Sequence, residues 1–458
     1  MTYHLLHLGC QMNQSDAERV RAVIEDLGYS PTDNEEEADL LGIVACSVRQ
    51  KAIDRVYSRI HTWNSWKNDR TLLTFVTGCI LPADRDKFLT LFDLLFDITE
   101  LPRLPDFIRQ YGVVTPAAAG SVIPPESLED PAKGYWWIAP RYSSTFEAYV
   151  PIQNGCDKYC TFCAVPYTRG REVSRPSRDI LGEVRRLVER GYKTITLLGQ
   201  NVNSYGQDRP GEEPRFAELL REVGELGLRS GKRFWVYFTS PHPRDMTDEV
   251  LQVIASYPSL AKQIHLPLQS GDDKVLLRMN RTYEVDQYRR TVHAIRTILP
   301  QATLFTDIIV GFSGETEEQF ENTRSAMREF AYNMAYVAQY SPRPGAASFR
   351  WPDDVPHEEK SRRLHALNEE LSTGALARNT ALIGTTCRVL VEGPDRKPGY
   401  LAGRTEGRIP LRFASMDAAL VGTFVDVRIL SAAPLSLQGE IVPISDAAPS
   451  RPSAVRTV

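Results

Sequence analysis

The chain has 458 residues, 42% hydrophobic and 24% charged, an ordinary globular balance that excludes a wholly disordered protein. At about 150 residues per domain there is room for roughly three domains, and no apolar run reaches the ~18 residues of a membrane span. A net charge of −4 excludes a globally basic protein, so a nucleic acid must meet a local patch, and seven cysteines do not suit a secreted disulfide framework.

The first 114 residues predict a small α/β domain with a parallel sheet. His4–Leu8, Leu40–Ala45 and Leu72–Val76 read as strands. Ser15 is expected to cap a helix carrying Val20, Val23, Ile24 and Leu27 on one face. A second helix carries Ile53, Val56, Tyr57 and Ile60, and a third runs through Phe88–Phe96. Leu8-Gly9-Cys10 superficially matches a lipoprotein cleavage site, but no basic segment precedes it, so a cytoplasmic protein without a membrane partner is expected. Residues 115–145 are punctuated by prolines and read as a linker. Tyr135, Trp136 and Trp137 are expected to pack on a neighbour, the alternative being an aromatic platform for bases.

Residues 146–376 predict a longer repeat. Ala148–Gln153, Thr194–Leu198, Arg233–Thr239, Gln263–Leu268, Leu304–Gly311 and Met334–Tyr340 are strand candidates with amphipathic helices between them. The clearest helix starts at Ser177 and buries Ile180, Leu181, Val184, Leu187 and Val188. Six βα units predict a partial, open (β/α)6 barrel. A polar helix, Glu358–Arg378, leads into residues 377–443, where short strands predict a small all-β barrel: Thr386–Val391, Pro394–Lys397, Gly399–Thr405, Phe424–Ile429 and Ser436–Val442. Residues 444–458, rich in Ala, Pro and Ser, predict a disordered tail.

Cys156, Cys160 and Cys163 form C-x3-C-x2-C just after the first barrel strand. Structural zinc wants four ligands and no nearby histidine supplies the fourth, whereas three thiolates in a tight loop suit an iron–sulfur cluster with one iron left open. Cys10, Cys46 and Cys79 each end an apolar strand of the first domain, about one βαβ unit apart. Strand C-termini of a parallel sheet share one edge, so these three are expected to converge on a second metal site. Cys387 stands alone and is expected to be core.

These residues resemble the radical S-adenosylmethionine (SAM) superfamily and, within it, the methylthiotransferases. The cluster loop, with aromatic Phe162 before its third cysteine, matches the superfamily; Cys10, Cys46 and Cys79 match the second cluster of methylthiotransferases; the last domain is similar to a TRAM domain, an RNA-binding module. Gly9-Cys10-Gln11-Met12-Asn13, the run Tyr159–Pro176, Leu198-Gly199-Gln200-Asn201-Val202-Asn203 and Tyr340-Ser341-Pro342-Arg343-Pro344-Gly345 resemble the enzymes that make 2-methylthio-N6-dimethylallyladenosine in tRNA. Ala45, Ser313 and Gln438 depart from common family residues.

The resemblance implies two 4Fe–4S clusters, Cys10/Cys46/Cys79 and Cys156/Cys160/Cys163, the second chelating SAM. It implies transfer of a methylthio group to C2 of an adenosine at position 37, next to the anticodon. One SAM would methylate a cluster-bound sulfur; another, cleaved reductively, would supply a 5′-deoxyadenosyl radical. C2 carries no acidic proton, so a cofactor must perform the hard step. For SAM, Gln200 and Asn201 are candidates for the amino acid portion, Gln269 and Ser270 for the ribose, Asp307 and Gly311 for adenine, and Arg281 for the carboxylate. Implied partners are tRNA and an electron donor such as flavodoxin or ferredoxin, and a monomer is expected. Phosphate contacts are expected from Arg388, Arg396, Lys397, Arg404, Arg408, Arg412 and Arg428, with Arg169, Arg171 and Arg175 as further candidates. His242 and His265 are given no role. The rival readings are a methylthiotransferase acting on another tRNA adenosine or on ribosomal protein S12, and a zinc-containing RNA-binding protein without catalysis.

Overall fold

A computed structural model describes residues 1–47, 50–111 and 131–443, with the backbone alone for 131–133. Residues 115–130 of the predicted linker and the predicted tail lie outside the described residues. The chain divides into two compact units, Met1–Ser144 with Asn154–Arg175 and Arg343–Phe349, and Thr145–Gln153 with Pro176–Pro342 and Arg350–Val458. Each is described by itself.

The first unit is built on a five-stranded parallel sheet in the order Ser30–Pro31, Thr2–His7, Leu40–Cys46, Leu73–Cys79, Leu94–Leu95. Every residue of Leu40–Cys46 and of Leu73–Cys79 is buried, as expected of strands covered on both faces. One face packs Val20 and Ile24 of the helix Gln11–Asp26, with Leu27 just past its end, against Leu40, Val44, Phe75 and Phe96. The other packs Val56, Ile60 and Trp63 of the helix Gln50–Trp66 against Leu41, Ile43 and Val76.

Several boundaries differ from the sequence reading. The first helix starts at Gln11 with Cys10 as its N-cap. Ser15 lies inside it, buried, its hydroxyl accepting from Arg19 at 2.8 Å and so taken from any capping role. The third helix is Pro82–Leu91, with proline in its first turn, and Leu94–Leu95 is an edge strand. Part of the expected linker is a short helix, Pro131–Trp137. Tyr135 and Trp136 from it complete the core under the first helix, whereas Trp137 is exposed.

The second unit has six parallel strands, Glu147–Pro151, Thr194–Leu198, Trp235–Phe238, Gln263–His265, Thr303–Val310 and Met334–Gln339. They pair in chain order as two three-stranded sheets, with the bridge between Val236 and Leu260 at the seam. Helices alternate with them, among them Ser177–Glu189, which buries Ile180, Val184, Leu187 and Val188. Successive parallel strands with crossover helices are the expected partial (β/α)6 architecture.

After the helix His357–Thr380, five strands close a small barrel in the order Thr386–Pro394, Tyr400–Thr405, Pro410–Ala414, Ser436–Val442, Phe424–Ala433. Its core includes Val389, Val391, Leu401, Leu411, Phe413, Val427 and Ile429. The expected strand Pro394–Lys397 is instead a turn, with the Lys397 N–H donating to the Asp395 carboxylate at 2.8 Å. The strand Pro410–Ala414 was missed, although Leu411 and Phe413 point in while Pro410 and Arg412 face out, the period-two signal of a half-buried strand. Cys387 packs against this core. The small barrel seats on the strands of the larger one: Phe424 meets Trp235 edge-on at 4.5 Å, and Arg408 lies over Tyr237 at 4.0 Å. No helix is long and apolar enough to cross a membrane among the described residues.

Candidate active site

The strand order of the first unit reverses between Thr2–His7 and Leu40–Cys46, because the chain first moves outward and then crosses back. In an open parallel sheet, ligands bind beyond the strand C-termini at such a switch point. Cys10 follows the first of these strands, Cys46 ends the second, and Cys79 ends the next, in direct register with Cys46. Three positions far apart in sequence are thus brought to one rim. Gly9 (φ 148°) and Gly78 (φ 106°) precede Cys10 and Cys79. A Cβ at Gly9 would stand 2.8 Å from Cys46 Cβ, and one at Gly78 would stand 2.6 Å from the Ala45 carbonyl. Only glycine permits that approach. Asn13, buried on the first helix, ties the rim together: its amide donates to the Ala45 carbonyl at 2.6 Å, and its oxygen accepts from the Cys10 thiol at 3.3 Å.

Cys46 and Cys79 are buried, and Cys10 is exposed. Burial pushes the Cys79 thiol up to about 12; the Arg169 guanidinium pulls it down, and Cys10 and Cys46 push it further up. The three thiols therefore sense one another. Gathering them is unfavourable for thiolates alone and favourable once a metal takes their protons' place.

The other three cysteines sit on one loop of the same unit. Gly155 (φ 80°) opens it, where a Cβ would fall 2.0 Å from the Arg171 carbonyl oxygen. The Cys163 N–H donates to the Cys160 carbonyl at 3.0 Å, and the Ser348 N–H to the Thr161 carbonyl at 2.9 Å. Cys160 is buried, while Cys156, Phe162 and Cys163 are half-buried. Burial pushes the Cys156 thiol up to about 11, with the backbone N–H of Lys158 opposing and Cys160 adding to the rise.

Directly after the loop, the short helix Val165–Arg169 ends on a residue that sequence reasoning offered to phosphate. Arg169 is buried. Its guanidinium bonds the Asp16 carboxylate at 2.5 Å, and its Nε donates to Cys79 Sγ at 3.0 Å. Tyr135 donates to the other Asp16 oxygen at 2.5 Å. Burial opposes the charge on Arg169, and Asp16 and Cys79 outweigh it. Arg175 is also buried, under Trp136 at 5.7 Å. Neither can reach an RNA backbone; Arg171, exposed and paired with Asp157 at 2.8 Å, still can. Asp16 and Tyr135 were missed, because a helix-interior carboxylate and a linker tyrosine carry no local motif.

In the second unit, Gln200 and Asn201 follow the strand Thr194–Leu198. Asn201 is 1% exposed, and neither polar atom of its amide has a hydrogen-bond partner among the described residues. A buried unpaired amide is costly and marks a place where a ligand's polar groups fit. Gln269 is buried with φ 70°, its N–H donating to the Asp307 carbonyl at 2.8 Å. Ser270 is buried against the Thr323 hydroxyl at 3.2 Å. Asp307 meets His265 Nε2 at 3.0 Å. Arg281 stacks over Tyr283 and reaches the Pro267 carbonyl at 3.4 Å. At Gly311 (φ 68°) the close neighbour is Lys360, whose Cγ lies 2.4 Å from where a Cβ would be.

As the side chains stand, no group of three His, Cys, Asp or Glu among the described residues is disposed to hold a single metal ion. A 4Fe–4S cluster would take one thiolate per iron, so its three cysteines would not need to meet at a single ion. The donor sets fit that demand: three sulfurs each, one set on a sheet rim and one on a loop, and the buried hydroxyls of Ser47 and Thr77, beside Cys46 and Cys79, lack partners among the described residues.

On the small barrel, Arg388 is paired with Asp426 at 2.7 Å, and Arg408 donates to Thr196 at 2.9 Å, so these two serve the fold. Lys397 and Arg412 are exposed and flank Tyr400 at 4.0 and 5.9 Å, an aromatic ring between cations. Arg396, Arg404 and Arg428 are also exposed.

The Radical SAM superfamily matches residues 150–327, Uncharacterized protein family UPF0004 matches 2–97, and the TRAM domain matches 381–442. The solved radical S-adenosylmethionine methyltransferase TsrM from Kitasatospora setae superposes with a TM-score of 0.54 at 13% identity, covering 92% of this chain and 80% of that one. The partial barrel and its cysteine loop thus define a radical SAM protein, whose cofactors are SAM and an iron–sulfur cluster. The tRNA-2-methylthio-N6-dimethylallyladenosine synthase of Geobacter metallireducens is 39% identical, over 94% of this chain and 96% of that protein. The protein of the same name from Cronobacter sakazakii is 37% identical over 97% and 93%. The chain belongs to the tRNA-2-methylthio-N6-dimethylallyladenosine synthase family.

Proposed function

We propose that this protein is a tRNA methylthiotransferase that places a methylthio group on C2 of N6-dimethylallyladenosine at position 37. The observation that carries the reading is the meeting of Cys10, Cys46 and Cys79 at the switch point of a parallel sheet, in a unit that also holds the three-cysteine loop. A radical SAM protein needs only the loop. A second three-thiol site would give the sulfur to be delivered a place to be held.

In this reading Cys10, Cys46 and Cys79 would hold one 4Fe–4S cluster, and Cys156, Cys160 and Cys163 would hold another that would serve SAM. Bound clusters and SAM supply the one-electron chemistry that an unactivated aromatic C–H bond demands. The chain's own residues bind and orient. The Asn201 amide, which has no partner among the described residues, with Gln200 beside it, receives the polar amino acid portion of SAM. Gln269, Ser270, Arg281, Asp307 and Gly311 are the remaining candidates for SAM contact, and Phe162 lines the loop. Tyr400, between Lys397 and Arg412, offers tRNA a stacking ring and two cations. Residues 1–114, 146–376 and 377–443 divide these tasks between sulfur site, SAM site and RNA binding. A flavodoxin or ferredoxin supplies electrons to a monomeric enzyme in the cytoplasm.

The test is nucleoside mass spectrometry of tRNA from a deletion strain. Loss of the 2-methylthio mark with N6-dimethylallyladenosine accumulating, and its return with the wild-type gene but not with Cys46→Ala, is the expected result. Loss of a different tRNA mark, or of a ribosomal-protein mark, would overturn the substrate.

A further inference from the structure

Arg169 links the two cysteine sets. It ends the short helix that follows the cysteine loop, and its Nε donates to Cys79 Sγ at 3.0 Å. The guanidinium is fixed from behind by Asp16, and Asp16 by Tyr135. Asp16 is 0% exposed and Arg169 is 8% exposed, so water does not screen the chain of contacts. Arg19 lies over the Tyr135 ring at 5.4 Å, closing the assembly. A surface arginine kept for phosphate would not be buried on a carboxylate. A purely structural ion pair would not need its Nε turned toward a thiol.

We infer that Arg169, held by Asp16 and Tyr135, is a positioning residue that donates a hydrogen bond to the Cys79 sulfur and tunes the reduction potential of the iron–sulfur site at the sheet rim. The inference rests on the two-cluster reading above. An N–H donated to a ligating sulfur favours the reduced state of the iron it holds, because the added electron places charge on that sulfur. The step is a one-electron reduction in which no bond is made or broken. The same contact ties the rim to the helix that follows the loop, so Arg169 sets both where Cys79 points and how readily its iron is reduced.

The test uses the full chain carrying Cys156→Ala, Cys160→Ala and Cys163→Ala, so that iron can reside only at the rim. After anaerobic reconstitution, iron content, midpoint potential and the electron paramagnetic resonance spectrum of the reduced state are measured. Adding Arg169→Gln should lower the midpoint potential and shift the spectrum while iron content stays near that of the parent. Arg169→Lys, which keeps the charge but not the planar fork, should fall between them. Because Arg169→Gln strands Asp16, the double change Asp16→Asn/Arg169→Gln keeps the test valid if the single variant fails to fold. An unmoved potential and spectrum in a loaded, folded variant overturns the inference and leaves the two-cluster reading intact. A parent that binds no iron overturns that reading and this inference together.

Discussion

The two cysteine sets are built by opposite means. Cys156, Cys160 and Cys163 fall within eight residues on one loop, turned by the Cys163 N–H on the Cys160 carbonyl and braced by the distant Ser348 N–H on Thr161. Cys10, Cys46 and Cys79 span 70 residues and meet only because the sheet order brings three strand ends to one rim. A site made by topology depends on the whole sheet; a site made by a loop depends on its own turn. The first should therefore be the more easily broken by remote changes.

The largest break is direct. Cys46→Ala and Cys160→Ala should each abolish the methylthio product, read by nucleoside mass spectrometry. Iron should fall from about eight to about four per chain when either full set is replaced. Unchanged iron after replacing Cys10, Cys46 and Cys79 would show that the rim holds no cluster.

A graded break comes from backbone geometry. Gly78→Val forces a side chain onto the Ala45 carbonyl at a positive φ, a strain of about 1–3 kcal/mol plus the clash. It should lower the melting temperature and remove the rim's iron while sparing the loop's. Equal loss from both sites would mean that the two are not built independently.

The unit that carries neither set supplies the baseline. Glu359 lies against Arg362 and Arg363, which hold its carboxyl down at about 2 from a usual 4.5. Its folded-state value is depressed, so its stabilisation is present above pH 4.5 and lost as pH falls toward 2. Glu359→Gln should cost about 1 kcal/mol at pH 7 and nothing near pH 2, read by urea unfolding, the partial exposure keeping the figure small. Iron at both sites should be unchanged. A pH-independent cost would mean that packing, not charge, is what the substitution removes.

The smallest effect is expected at the RNA face. Lys397→Ala and Arg412→Ala should each weaken tRNA binding and shallow the salt dependence of its logarithm by about 0.7–0.9. Arg169→Lys should leave that slope alone, since Arg169 is buried. A change there would restore it as a phosphate contact.

Much was legible in the chain order of residues. The partial barrel, the parallel first sheet and the closed small barrel follow from apolar runs of the right length and period, and the cysteine loop follows from its spacing. The convergence of Cys10, Cys46 and Cys79 was readable because each ends an apolar run. The repeated glycine before Cys10 and Cys79 is a further signal that was there to use. The strand Pro410–Ala414 was overlooked because a proline at its head hid an otherwise clear alternation, and the helix at Tyr135 was hidden among prolines.

The tertiary structure alone decided what each polar residue does. Arg169, Arg175, Arg388 and Arg408 look like the arginines that meet RNA, yet each is committed to a partner within the fold. Composition and spacing specify where the backbone turns and which face is apolar, because those are local steric and solvation effects. Whether a guanidinium faces water, a carboxylate or a cysteine depends on residues far along the chain, 38 positions away for Arg388 and 153 for Arg169, and only packing brings those together.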